Sequence, residues 1–96
     1  MKKLSAGLEE MKDEFCEAIQ KDLGRGAFYS QMAEIYFVKL QIEHTIQHLH
    51  EWVAPRIVNT PIFVGPGQSS IVPEPLGVAA ILGAWNFPVS LLLGPL

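Results

Sequence analysis

The sequence has few of the features on which several classes of protein depend. Its single cysteine, Cys16, rules out an internal disulfide framework and fits a reducing compartment. Seven Lys and Arg against ten Asp and Glu give a net charge of −3, so there is no electrostatic case for nucleic-acid binding. Lys2 and Lys3 have no apolar core behind them, which argues against a secretory signal. At 96 residues the chain is at most one small domain.

Charge and proline divide the chain near residue 56. All seven Lys and Arg lie at or before Arg56, and from residue 57 onward Glu74 is the only charged residue. Six of the seven prolines fall in this second part. The sequence therefore predicts a helical segment at 1–55, a β-hairpin at 56–75, and a strand, loop and helix start at 76–96.

Two antiparallel amphipathic helices are predicted in the first segment. Gly24 is a stop signal for the first helix, and Glu17 and Lys21 form a favourable i, i+4 pair. The second helix is predicted from about residue 30 to 52, and Pro55 ends it. The apolar side chains expected to face inward recur at helical spacing: Leu4, Leu8, Met11, Phe15, Ile19 and Leu23 on the first helix, and Met32, Ile35, Ile42, Ile46, Leu49 and Val53 on the second.

Short β-prone pieces follow, separated by turn signals. Residues 57–58, 62–64 and 70–72 are candidate strands, with a turn at 65–68, so a hairpin is predicted. Residues 77–83 are uninterrupted Gly, Val, Ala, Ile and Leu, which is typical of a strand buried on both faces of a parallel sheet. Pro88 suits the first turn of a following helix.

Asn86 is the only polar side chain between this strand and this helix start. In open α/β folds, ligands bind where the carboxyl ends of strands meet helix starts, which makes Asn86 the first functional candidate. From the pattern alone, an asparagine here is more often a turn or capping residue. Both interpretations stay open at this point.

Two separate motifs stand out along the chain. One is Glu-Pro-Leu-Gly-Val at 74–78 followed by Gly-Ala-Trp-Asn-Phe-Pro at 83–88, and the other is Ala-Ile-Gln-Lys-Asp-Leu-Gly at 18–24 with Ala-Glu-Ile after it. Both motifs resemble the aldehyde dehydrogenase superfamily, and in particular its class 3 branch of NAD(P)-dependent fatty and aromatic aldehyde oxidisers. The resemblance covers roughly residues 8–96. It implies an α/β fold with an N-terminal helical hairpin, an oligomerisation-type β-hairpin, and the first strand and helix start of an incomplete Rossmann-type cofactor domain.

The resemblance also assigns site residues. It implies that Asn86 donates to the oxyanion of an aldehyde under attack, a role that a fixed carboxamide N–H suits. Leu82, Gly83, Ala84, Trp85 and Asn86 match cofactor-binding positions that border the nicotinamide and its ribose, with NAD and NADP both open. The catalytic cysteine, the glutamate and the cofactor lysine of the family match nothing in these 96 residues, and Cys16 is not that nucleophile. The 96-residue chain alone is therefore expected to be inactive.

The resemblance further implies an aldehyde substrate, a homodimeric parent enzyme and a cytoplasmic location. We expect the chain to be an amino-terminal piece, from a truncated isoform or an incomplete gene model, with an earlier helix missing. One alternative is a non-catalytic module that pairs with full-length subunits. Another is a small helical protein with a membrane anchor, because residues 75–96 contain no charge and could span a bilayer.

Three other clusters are interpreted without a catalytic role. His44 and His48 share a helix face, but no carboxylate or thiolate ligand is evident nearby, so a solvated face is preferred to a metal site. Residues 67–70, Gly-Gln-Ser-Ser, echo the family's nucleophile motif by chance. The first helix also carries an acidic face that is expected to be exposed: Glu9, Glu10, Asp13 and Glu14.

Overall fold

The computed structural model describes residues 1–96 as a mixture of helices and one small antiparallel sheet. The helices are α1 (Lys2–Glu10), α2 (Lys12–Leu23), α3 (Ala27–Ser30), a π-helical segment (Gln31–Tyr36), α4 (Phe37–Trp52) and α5 (Ser90–Leu93). The strands are β1 (Arg56–Val58) and β2 (Ser69–Ile71), with a 3₁₀ turn (Ile62–Val64) between them.

The first predicted helix is present but broken into two. α1 and α2 meet at Met11, whose φ of −98° and ψ of 12° depart from helical values, so one unbroken helix was wrong. The predicted stop at Gly24 is confirmed: this residue is left-handed, with φ 65°, and its N–H donates to the carbonyl of Gln20. The predicted Glu17–Lys21 ion pair is also confirmed, at 2.8 Å.

The second predicted helix is confirmed as a continuous helical run from 27 to 52. Its middle is π-helical, a geometry in which hydrogen bonds join residues five apart and each turn is wider. This widening changes which side chains face the core. Val38 and Glu34, both absent from the predicted inward set, have no exposed surface.

The core lies between α1, α2, the π segment, α4 and the start of α5. Its buried apolar members come from all of these elements: Leu8, Ile19, Ile35, Val38, Ile42 and Val89. Leu4, Phe15 and Ile46 pack against them, as expected. Five of the predicted inward positions were wrong, because these side chains are between 38% and 53% exposed: Met11, Leu23, Met32, Leu49 and Val53. Met32 lies in the π segment, and Leu49 and Val53 lie in and just beyond the last turn of α4.

The predicted hairpin is confirmed, with a different connection. β1 pairs with β2 antiparallel, Arg56 opposite Ile71 and Val58 opposite Ser69. Residues 62–64 form the 3₁₀ turn instead of the predicted strand. Pro61 and Pro66 lie on either side of them and have no N–H to donate to a ladder, which explains the difference.

The strand predicted at 77–83 does not form. These residues have no regular secondary structure, and nearly all of their side chains are exposed. A parallel strand is defined by hydrogen bonds to a neighbour, and the sheet of this chain consists of β1 and β2 alone. The helix predicted to start at Pro88 is confirmed two residues later, because 88–89 form a turn and α5 begins at Ser90. No helix combines the length and the apolar character needed to cross a bilayer.

Candidate functional site

The five residues assigned by resemblance form one contiguous exposed stretch ahead of α5. Leu82, Gly83 and Ala84 belong to the segment without regular structure, and Trp85 and Asn86 open the turns that lead to α5. The indole of Trp85 is 83% exposed. The carboxamide of Asn86 is also exposed, so its N–H groups are free to meet a small molecule.

Gly83 packs closely against α5. A Cβ at this position would lie 3.2 Å from Cβ of Leu92 and 3.3 Å from its Cα and N, closer than ordinary van der Waals contact. A glycine therefore lets the chain pass directly beside α5. These distances directly support a packing role for Gly83.

A buried carboxylate fixes the start of α5. Glu34, in the π segment, has no exposed surface, and its Oε2 accepts hydrogen bonds from the N–H groups of Val89 at 3.0 Å and Ser90 at 2.9 Å. Its Oε1 accepts from Nη1 of Arg25 at 2.7 Å. Buried carboxylates are unfavourable unless they are paired and hydrogen-bonded, and both oxygens of Glu34 meet that condition.

Arg25 extends this network to the loop itself. Its Nη2 donates to the backbone carbonyl of Asn86. Its guanidinium lies over the ring of Phe87, 4.5 Å from the centroid, and 5.5 Å from the ring of Tyr29, within the range of cation–π contacts. Arg25, from the turn before α3, and Glu34, from the π segment, thus hold the backbone between Asn86 and Ser90, on the C-terminal side of the Asn86 carboxamide.

An apolar cleft of about 630 Å³ lies on the other side of the loop. Its walls come from α1 and α2, including Leu4 and Phe15, and from the loop and α5, including Trp85, Pro88 and Leu92. The largest cavity of the chain is therefore next to the candidate site, but the Asn86 side chain does not line it.

The remaining candidate groups lie elsewhere. Cys16 is buried in α2, and burial, with a smaller effect of the Asp13 charge, raises the pKa of its thiol above its ordinary value. His44, His48 and Trp52 stack along the outside of α4, with His44 and His48 centroids 4.2 Å apart. No group of three or more His, Cys, Asp and Glu side chains is arranged to hold a metal ion. Glu9, Glu10, Asp13 and Glu14 are exposed, as predicted.

Sequence reasoning missed the two residues that organise the loop. In the sequence, Glu34 stands out only within the Ala-Glu-Ile part of a family motif, and nothing in the pattern gives Arg25 a role. A signal was present, because Glu34 lies next to Ile35 in an inward-facing stretch where a charge needs a partner. The partners of Glu34 could not be identified, because the fold has to bring residue 34 to Arg25 and to the N–H groups of Val89 and Ser90.

Comparisons with known proteins establish the family to which this chain belongs. The sequence model of the aldehyde dehydrogenase family matches residues 1–96, so this chain belongs to that family. Within it, the chain matches the N-terminal region of family 3 enzymes, which confirms the resemblance found in its motifs.

Three relatives illustrate the match. "Aldehyde dehydrogenase family 3 comG" from Dictyostelium discoideum is 38% identical over 96 residues, which is 100% of this chain and 20% of the relative. "Aldehyde dehydrogenase" from Craterostigma plantagineum is 35% identical over 83 residues, 86% of this chain and 17% of the relative. "Aldehyde dehydrogenase family 3 member B2" from Mus musculus is 30% identical over 96 residues, 100% of this chain and 20% of the relative. The chain spans about a fifth of the length of these relatives.

Proposed function

We propose that the chain is the N-terminal part of an NAD(P)-dependent aldehyde dehydrogenase that oxidises aldehydes to carboxylic acids. The observation that carries this proposal is the match of the family sequence model over residues 1–96. The relatives named aldehyde dehydrogenase family 3 support it, since they align with the whole chain. A nicotinamide cofactor and an aldehyde substrate follow from membership of the family, with NAD and NADP both compatible.

In this proposal Asn86 is the catalytic residue that the chain contributes. Attack of a thiolate on an aldehyde places negative charge on the carbonyl oxygen, and a preorganised carboxamide N–H stabilises that charge in the transition state. The exposed position of Asn86 in the loop before α5 is compatible with this role. Leu82, Gly83, Ala84 and Trp85, on the same stretch, are the proposed border of the nicotinamide and its ribose.

The proposal also covers the oligomeric state and the location of the parent enzyme. The parent enzyme acts as a homodimer in the cytoplasm, and the hairpin of β1 and β2 contributes to its subunit interface. The 96 residues do not complete the reaction alone, because Cys16, the only cysteine, is buried and its raised pKa disfavours the thiolate.

A hybrid enzyme tests the proposed function. The 96 residues replace the matching segment of the Dictyostelium discoideum relative, to which they are 38% identical over their full length. NAD(P)H formation is then followed with aliphatic and aromatic aldehydes, beside the isolated chain. We expect turnover by the hybrid and none by the isolated chain. A folded hybrid that oxidises no aldehyde, or turnover by the isolated chain, would contradict the proposal.

A second candidate function is supported by one observation. Leu76, Val78 and Leu82 are almost fully exposed on a segment without regular structure. Such a segment offers unpaired backbone groups and apolar side chains to the sheet of another chain. In this alternative the chain is a non-catalytic module that pairs with full-length subunits. Co-purification of tagged chain with the full-length relative supports it, and two components that stay separate at micromolar concentration would exclude it.

A further inference from the structure

The loop that carries Asn86 is held by residues far away in sequence. Glu34 accepts from the N–H groups of Val89 and Ser90, which are 55 and 56 residues further along the chain. Arg25 donates to the carbonyl of Asn86, 61 residues further along. The three contacts thus fall at the carbonyl of Asn86 and at the third and fourth residues after it, all on the C-terminal side of its side chain.

The chemistry of the two side chains suits a fixed geometry. The guanidinium is a planar fork, so one nitrogen can donate to Glu34 at 2.7 Å while the other donates to the carbonyl of Asn86. The guanidinium carbon lies 4.5 Å from the centroid of the Phe87 ring, so the residue next to Asn86 is contacted as well. The carboxylate of Glu34 is fully buried, so it has no water to exchange for these partners.

The cluster therefore joins three parts of the chain at one point. The turn before α3 supplies Arg25, the π segment supplies Glu34, and the loop supplies its backbone. Single π-helical turns occur often where a side chain is aimed for function. Glu34 and Ile35 are adjacent and both buried, so this segment directs a carboxylate and a core side chain inward together.

We propose that Arg25 and Glu34 are positioning residues that fix the backbone around Asn86 and so orient its carboxamide. The oxyanion role of that carboxamide rests on the proposed function. The mechanical claim, that these two side chains order residues 86–90, stands without it. Glu34 orders residues 89 and 90, and Arg25 orders residues 86 and 87.

Nuclear magnetic resonance of the ¹⁵N-labelled 96-residue chain tests the mechanical claim. Glu34→Gln keeps the shape of the side chain and removes its charge, whereas Arg25→Lys keeps the charge and removes the fork. Glu17→Gln is the matched control, because it removes a carboxylate from an exposed ion pair. The readouts are hydrogen exchange of the backbone amides and ¹⁵N relaxation of the Asn86 side-chain amide.

Each variant has its own expected signature. Glu34→Gln accelerates exchange of the Val89 and Ser90 amides by about 10- to 100-fold, the range for loss of a hydrogen bond to a charged group. Arg25→Lys increases the mobility of the Asn86 side chain and leaves the Val89 and Ser90 amides protected. In both variants the Val38 and Ile42 amides keep their protection. Unchanged loop readouts would overturn the inference, and so would an equal loss at Val38 and Ile42, which would mean a general effect on stability.

The hybrid enzyme separates this inference from the function on which it rests. We expect Arg25→Lys to lower kcat for aldehyde oxidation with little change in KM, because orientation matters in the transition state. If Asn86→Asp abolishes turnover and Arg25→Lys leaves kcat unchanged, the positioning role is wrong and the proposed function stands. If Asn86→Asp leaves kcat unchanged while the loop loosens as expected, the proposed role of Asn86 fails and the mechanical claim stands.

Discussion

At the scale of single residues, charge is placed according to whether water can reach it. Glu34 is completely buried and has three partners, whereas Glu9 is exposed and pairs with Lys12 at 3.0 Å and with Lys39. The exposed pair links α1 to the side of α4 and is weakened by solvent and salt. The buried carboxylate of Glu34 instead determines where the loop before α5 lies.

Glu9 predicts how the chain responds to acid. Hydrogen bonds from Lys39 and then Lys12 lower the pKa of its carboxyl from 4.5 to about 2. A lowered pKa in the folded state means that the stabilisation is complete above pH 4.5 and is lost as the pH falls through about 2. Urea unfolding followed by circular dichroism at several pH values measures this.

The matched control for that experiment is the neighbouring carboxylate. Glu9→Gln should remove part of the pH dependence in this window, and Glu10→Gln, which breaks no ion pair, should leave it intact. High salt should reduce the difference between the two variants. Identical pH profiles for both variants at low salt would show that the pair contributes nothing to folding.

The burial of Cys16, the only cysteine of the chain, predicts that its thiol reacts slowly. The side chain is buried in α2, and burial raises the pKa of the thiol, so little thiolate is exposed at neutral pH. Alkylation by iodoacetamide should be much slower in the native chain than in the chain unfolded in urea. Equal rates in the two conditions would mean that α2 does not cover this residue.

At the scale of secondary-structure elements, two glycines of the first helices have opposite effects. Gly7 lies inside α1 with no atom within 4 Å of the position of a Cβ, whereas Gly24 ends α2 in a left-handed conformation with φ 65°. Gly7→Ala should stabilise the chain by about 0.5–1 kcal/mol, because glycine is a poor residue in a helix interior. Gly24→Ala should destabilise it by about 1 kcal/mol or more, because alanine avoids this conformation.

The same urea unfolding experiment measures both variants. Since the substitution is identical, the pair controls for the chemistry of the added methyl group. A shift of the midpoint in the same direction for both would contradict the assignment of Gly24 as the helix end.

Local signals predicted the elements that depend on local chemistry. The stop at Gly24, the end of the second helix before Pro55 and a hairpin within 56–75 follow from capping, proline and turn chemistry, and all are present, although the strand predicted at 62–64 is not. The break at Met11 and the π segment were not predicted, because periodicity of apolar residues does not distinguish α from π turns. The prediction of a strand at 77–83 was wrong, because a strand forms only when a neighbouring strand pairs with it. The local sequence pattern does not show whether such a neighbour is present.

The candidate site divides in the same way. The motif and the place of Asn86 between an apolar run and Pro88 predict a loop between a buried strand and a helix, and Asn86 does lie in the turns before α5, but no strand precedes it. The contacts of Arg25 and Glu34 with that loop join residues more than 50 positions apart. Only packing of the π segment against α5 brings them together, so the sequence pattern did not reveal them.

At the scale of the whole molecule, the chain exposes more surface than a compact protein of its mass. Its accessible surface is 7703 Å² and its radius of gyration 19.6 Å. A compact monomer of this size would have about 5,500 Å² and about 12–13 Å. Only ten of the 96 residues are buried, and the apolar segment around Leu76 and Val78 is open to solvent.

This surface predicts that the isolated chain self-associates. Exposed apolar segments with unpaired backbone groups are sites of strand pairing between chains. Size-exclusion chromatography with light scattering should give a mass that rises above 10.6 kDa with concentration. Val78→Lys should reduce this rise, since charge on such a segment opposes pairing. A compact monomer with a radius of gyration near 12–13 Å would contradict the description.

The central claim is that this chain is part of an aldehyde dehydrogenase in which Asn86 stabilises the developing oxyanion. The most direct test is kcat of the hybrid enzyme carrying Asn86→Asp, compared with Gln47→Glu, which also replaces a carboxamide by a carboxylate, at an exposed position of α4. We predict that Asn86→Asp lowers kcat by about 10²- to 10³-fold and that Gln47→Glu leaves it unchanged. An Asn86→Asp hybrid that oxidises aldehydes as fast as the Gln47→Glu hybrid would contradict the claim.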